Sequence, residues 1–313
     1  MTTHDDAPAS ARAAATLRRV LAVLRWLFAP LALLALAWAG WHARPLFALV
    51  AGQTDRALVL AAMLLWISLH LLTPLFTWIV LHGIGAGVPY RTLLRIHVAR
   101  LPARYLPGGI WHTVSRAMDL HRLGVTRRHL SVMVVLEHAV PAGAALMLGG
   151  LALSLSGAAT WLAPAAAVAG VVGLAATWVA LRHPALRLAR RFEWPRYLGL
   201  VATICGFWLV AATAFLCYWS AFPLVVRGDA PVLQLYGAYL LAWVAGFVSV
   251  FAPQGIGVFE SVAGLFLRGT LTLGGTAVLV AGFRIVVLGA DLAAFGILCA
   301  CRLLRRRGGP DAH

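Results

Sequence analysis

The sequence has no lysine and no asparagine, only 10 acidic residues, and four cysteines among 313 positions. Each scarcity removes a class of protein. Cys205, Cys217, Cys299 and Cys301 lie inside apolar runs and make no metal-ligand spacing, so neither a zinc site nor a disulfide framework is expected. Charged residues make up 12% of the chain, against about 25% in ordinary soluble domains, too few to clothe a water-facing surface. There is no His-Glu-x-x-His, no Gly-x-Ser-x-Gly, no nucleotide-binding glycine-rich loop and no paired-aspartate motif. The expectation is a non-enzyme with no metal and no cofactor.

What is abundant is apolar: 62% of residues are hydrophobic and the mean hydropathy is +0.87. Most of the chain must face lipid or itself, which makes it a polytopic helical membrane protein. The net charge of +16 rests on 26 basic residues, all arginine. They sit in short segments between apolar runs, as cytoplasmic loops do, and this pattern argues against a nucleic-acid partner.

Six apolar runs are long enough to cross: residues 26–41, 57–81, 130–153, 160–181, 197–226 and 271–300. Two helix-breaking clusters interrupt the remainder. Arg104-Tyr105-Leu106-Pro107-Gly108-Gly109-Ile110-Trp111 is one, and Pro253-Gln254-Gly255-Ile256-Gly257-Val258-Phe259-Glu260 repeats its Pro-x-Gly-Ile core 146 positions later (253 − 107). Irregular backbone at membrane depth is tolerated only inside protein or along a wet cavity, so the clusters read as tips of two re-entrant hairpins, residues 88–122 and 232–268, the alternative for 88–122 being a basic helix pair lying along the bilayer surface. In the first, Leu93, Leu94, Ile96, Val98 and Leu101 alternate with arginines in an amphipathic helix that ends at Pro102 or at Pro107.

Parity supports the same reading. The positive-inside rule places the ends of arginine-rich residues 82–129, and residues 182–196 and 302–313, in the cytoplasm, together with a mobile N-terminus, residues 1–19. If residues 232–268 crossed fully, the last run would leave Arg302, Arg305, Arg306 and Arg307 outside. If they dip in and return, six crossings put both termini inside, and the hairpins enter from opposite faces as an inverted repeat demands. The transmembrane domain then covers residues 20–301.

Candidate binding groups are the hairpin-tip residues Arg104, Tyr105, Pro107, Gly108, Gly109, Pro253, Gly255 and Gly257, with the buried charges Arg116, Glu137, Glu260 and Arg284. Half-helix starts free N–H groups that favour an anionic head group, and Arg104 and Arg116 flank one such start. His70 and Asp291 read as groups that fix helix packing, and Arg284 has Glu137, Glu260 or a ligand phosphate as alternative partners.

Over about residues 20–300 the two motifs and the Glu137 region resemble the transmembrane domain of the lysylphosphatidylglycerol synthase family, whose members are flippase-like integral membrane proteins. Where that family often carries Arg before the motif glutamate, this chain has Phe259. With no soluble aminoacyltransferase domain in these 313 residues, the resemblance implies the lipid-translocating half. It implies a phospholipid or lipid-linked substrate in a bacterial inner membrane, moved by alternating exposure of a groove between the hairpins. The rival expectation is an accessory or scaffold subunit partnering a lipid- or glycan-modifying enzyme of the envelope.

Overall fold

The computed structural model describes residues 54–105, 111–158, 161–183, 192–223, 230–249, 255–268 and 273–307. The first expected span, the N-terminus, Pro107, Gly108, Gly109 and Pro253 lie outside the described residues. Nine α-helices and no strand occur among those described: α1 (Arg56–Gly83), α2 (Tyr90–Ala99), α3 (Trp111–Arg122), α4 (Arg127–Leu155), α5 (Leu162–Leu181), α6 (Trp194–Ser220), α7 (Val232–Val248), α8 (Val258–Phe266) and α9 (Leu273–Arg307). A 3-10 turn, Leu101–Tyr105, follows α2. Five helices, α1, α4, α5, α6 and α9, are long and apolar enough to cross a bilayer. The chain is a multi-pass helical membrane protein.

Local chemistry sets the boundaries. Asp55 caps α1 by accepting from Ala57 and Leu58 N–H at 2.9 and 3.2 Å, and Thr126 caps α4 by accepting from His129 N–H. The helix expected over 197–226 instead starts at Trp194, with Pro195 in its first turn, and stops at Ser220. Proline favours the first turn of a helix, and Pro223 pulls the residue before it away from helical backbone. Pro102 has no N–H to continue the α-helical ladder, so α2 ends at Ala99 and the chain tightens into the 3-10 turn. α9 remains helical to Arg307, into the first residues of the basic tail.

The packing is organised as two related halves. α1, α2, α3 and α4 correspond to α6, α7, α8 and α9, with α8 starting 147 positions after α3 (258 − 111) and α9 starting 146 after α4 (273 − 127). The contacts among these eight helices have counterparts across the halves. α1 packs on α6 across the centre, α4 on α7 as α9 on α2, α1 on α9 as α6 on α4, and α3 on α4 as α8 on α9. α5 adds one crossing between the halves, so the second half runs inverted relative to the first.

Small residues allow the closest approaches. A Cβ on Gly150 or Gly170 would collide with the backbone of the facing helix, which is how α4 and α5 meet at backbone distance. In the second hairpin Gly255 adopts φ +66°, and a Cβ there would lie 2.5 Å from Gly246 Cα of α7. Only glycine satisfies both requirements. The first hairpin is held differently, by Arg100 after α2, which grips Asp119 of α3 with two N–H donors at 2.7 and 2.8 Å.

Candidate functional site

Three polar clusters tie the hairpins to the crossing helices, and α9 serves two of them. Glu260, in the first turn of α8, accepts the Gly257 N–H at 2.7 Å with one oxygen and Arg284 Nε of α9 at 2.9 Å with the other. It caps its own helix and forms an ion pair at once. Phe259 packs its ring 5.6 Å from the Arg284 guanidinium.

Arg116 of α3 is buried and meets Glu137 of α4 through two donors, at 2.9 and 3.2 Å. Thr77 of α1 completes the cluster, accepting from Arg116 at 2.9 Å while donating to Glu137 at 2.6 Å. Glu137 lies ten residues into α4, roughly 15 Å along it, where an ionised carboxylate persists only with such partners.

The third cluster centres on Asp291 of α9, which is 1% exposed. One oxygen accepts from the Tyr105 hydroxyl at 2.8 Å and from Arg104 at a looser 3.4 Å. The other stands 3.1 Å from His70 Nε2 of α1, off the ideal hydrogen-bond line. Behind it, His70 Nδ1 lies 3.3 Å from His97 Nε2 of α2, and the His97 ring meets His112 of α3 edge to face at 5.2 Å. The hairpin helices α2 and α3 do not span. Their two imidazoles are held neutral, His97 well below the ordinary value by burial and then the Arg116 charge, and His112 pushed down to about 3, again chiefly by burial.

A cavity of about 280 Å³ lies against the first hairpin. Its lining combines the polar Arg104, Arg116, Glu137, His70, His97 and His112 with the aromatic Trp66, Phe207, Trp208, Trp243 and Phe247. Trp208 is fixed there by donating to the Pro141 carbonyl at 2.9 Å, and Trp243 stacks on Phe247. The structure therefore brings Arg104, Arg116 and Glu137 together, with Tyr105 beside them on Asp291. Glu260, Arg284, Gly255 and Gly257 form a separate cluster at the second tip and do not line the cavity. The second hairpin contributes its other arm, α7, through the Trp243 and Phe247 wall.

Sequence reasoning left out His97, His112, Thr77 and the Arg100–Asp119 clasp. His97 and His112 sit on short helices with no ligand spacing, and only the fold of the hairpin brings them to His70. Thr77 carried a usable signal, since it stands seven positions after His70 and so on the same face of α1. Compared with protein-family models and with curated proteins, the chain has no match.

Proposed function

We propose that this chain is a lipid translocase of the bacterial inner membrane, with both termini cytoplasmic, and a relative of the flippase-like lysylphosphatidylglycerol synthase region. The observation that carries this reading is the mixed lining of the cavity, which combines guanidinium groups with a set of aromatic rings. Its size falls just below that of ordinary small-molecule sites, which start near 300 Å³. It accommodates a head group and excludes a diacyl body, so the chains of a bound lipid stay outside it. Arg104 is the group that engages a phosphate, because its side chain is 38% exposed and its contact with Asp291 is long, whereas Arg116 is committed to Glu137 and Thr77. The inverted halves supply the motion, one rocking against the other around this site.

The test is leaflet exchange of fluorescent lipids in proteoliposomes. Exchange of an anionic phospholipid is expected to be faster with the protein than without it. Equal rates with and without protein, across anionic, zwitterionic and polyprenyl-phosphate lipids, would leave the accessory role as the better account.

A further inference from the structure

The imidazoles behind the cavity form a chain with a direction. An ionised aspartate only accepts, so the proton between Asp291 and His70 sits on His70 Nε2. His70 Nδ1 then carries the lone pair, and the proton between the two histidines sits on His97 Nε2. That leaves His97 Nδ1 as a lone pair, on a residue 4% exposed, with no hydrogen-bond partner among the described residues. That unpartnered acceptor belongs to a residue that lines the cavity. At the other end of the chain, Asp291 holds Arg104, the same guanidinium that the translocase reading assigns to a phosphate.

We infer that the His97–His70–Asp291 chain is a coupling-proton site: it takes up one proton when an anionic head group draws Arg104 away from Asp291. This rests on the translocase reading and adds the ion that drives it. A buried carboxylate that loses its cation is costly to leave charged, and uptake of a proton removes that cost. The proton binds His97 Nδ1. His97 passes its Nε2 proton to His70 Nδ1, and His70 then shares its own Nε2 proton with Asp291. One proton enters, both exchanges are proton hops along existing contacts, and nothing is oxidised or reduced. The extra proton belongs to the His70–Asp291 pair.

The surrounding groups are accounted for. Tyr105 hydrogen-bonds Asp291 from the 3-10 turn. Arg116 and His112 face His97 from α3, with Arg116 neutralised by Glu137 of α4. Tyr239 of α7 is buried within electrostatic reach of Arg104 and Arg284, and the Glu260–Arg284 pair is closed on itself.

The first measurement needs no lipid substrate. Infrared difference spectra of the full chain in proteoliposomes, recorded at neutral pH, are expected to show a protonated band in Arg104→Gln, carboxylic acid or imidazolium. Wild type should lack it, as should Arg104→Gln with Asp291→Asn. No such band, or one that survives Asp291→Asn, overturns the proposal. After a pH jump, His97→Gln in the Arg104→Gln background should reach the same amplitude about a hundredfold more slowly, the scale of a lost proton-transfer group. An unchanged rate removes His97 from the path.

The second measurement adds short-chain phosphatidylglycerol to the wild-type protein in weak buffer containing a pH indicator. Uptake of about one proton per chain, absent in Asp291→Asn, is the expected result. Measured binding without uptake overturns the coupling. If instead the infrared band behaves as expected and no anionic lipid binds or moves, the translocase reading fails while the proton site stands.

Discussion

Two arginines face one cavity, and their partners give them different work. Arg116 is 6% exposed and shares a bidentate contact with a carboxylate that is 9% exposed, so removing either charge strands the other in the interior. Such a loss typically costs about 3 to 5 kcal/mol. Glu137→Gln is therefore expected to lower the thermal midpoint in detergent, read by tryptophan fluorescence or by size-exclusion profile. Arg104 behaves differently. Arg104→Lys keeps a cation but loses the planar fork that suits phosphate, and it should leave the midpoint near wild type while removing most anionic-lipid exchange. A wild-type exchange rate in Arg104→Lys would show that the cavity arginine is structural punctuation. Glu260 falls between the two. Glu260→Gln keeps an oxygen for the Gly257 N–H but gives up the ion pair with Arg284, so a drop in midpoint is expected together with loss of exchange.

The two broken elements are built on one plan with different fastenings. In the second hairpin the backbone itself closes the tip, through Gly255 against Gly246, whereas the first relies on side chains: Arg100 on Asp119, Arg116 on Glu137, and Tyr105 on Asp291. A pair of glycine substitutions separates conformation from space. Gly257 has φ +86° with nothing within 4 Å of an added Cβ, so Gly257→Ala meets only the strain of a positive φ, about 1 to 3 kcal/mol. Gly255→Ala adds a clash with Gly246 to the same strain and should be the more damaging, measured as the fall in folded yield after solubilisation. Equal yields for the two would mean that the α7 arm gives way easily at the tip. Much of this was legible in advance. Helix-breaking glycines in an apolar chain marked the second tip at Gly255 and Gly257, and the capping geometry of Glu260 follows from its place three residues after Gly257. The partners of the charges were not legible. Arg284 and Asp291 share one face of α9 seven residues apart, yet one serves the second hairpin and the other the first, a division set by which helices lie against α9.

At the scale of the molecule, periodicity and charge counting carried the crossing helices and the repeat, since both depend on local composition and arginine placement. The histidine chain depends on four helices meeting, which no window of sequence contains. The arrangement of helices makes a sharp claim about sides. α4 and α5 lie between Arg122 and Glu193, two crossings that return the chain to the face it left. α6 then crosses once, and α7 with α8 packs as a pair within the second half. Arg122 and Glu193 should therefore share one face, and Val232 and Arg268 the opposite one. With Cys205, Cys217, Cys299 and Cys301 replaced, single cysteines at these four positions can be probed with a membrane-impermeant thiol reagent in intact and permeabilised cells. The expected result is labelling of 232 and 268 in intact cells, and of 122 and 193 only after permeabilisation, because the arginine-rich segments belong inside. Labelling of 232 and 268 from opposite sides would mean that the second hairpin crosses. Every crossing after it would then change direction, Arg302 would face outward, and the inverted relation between the halves, on which the rocking mechanism depends, would be lost.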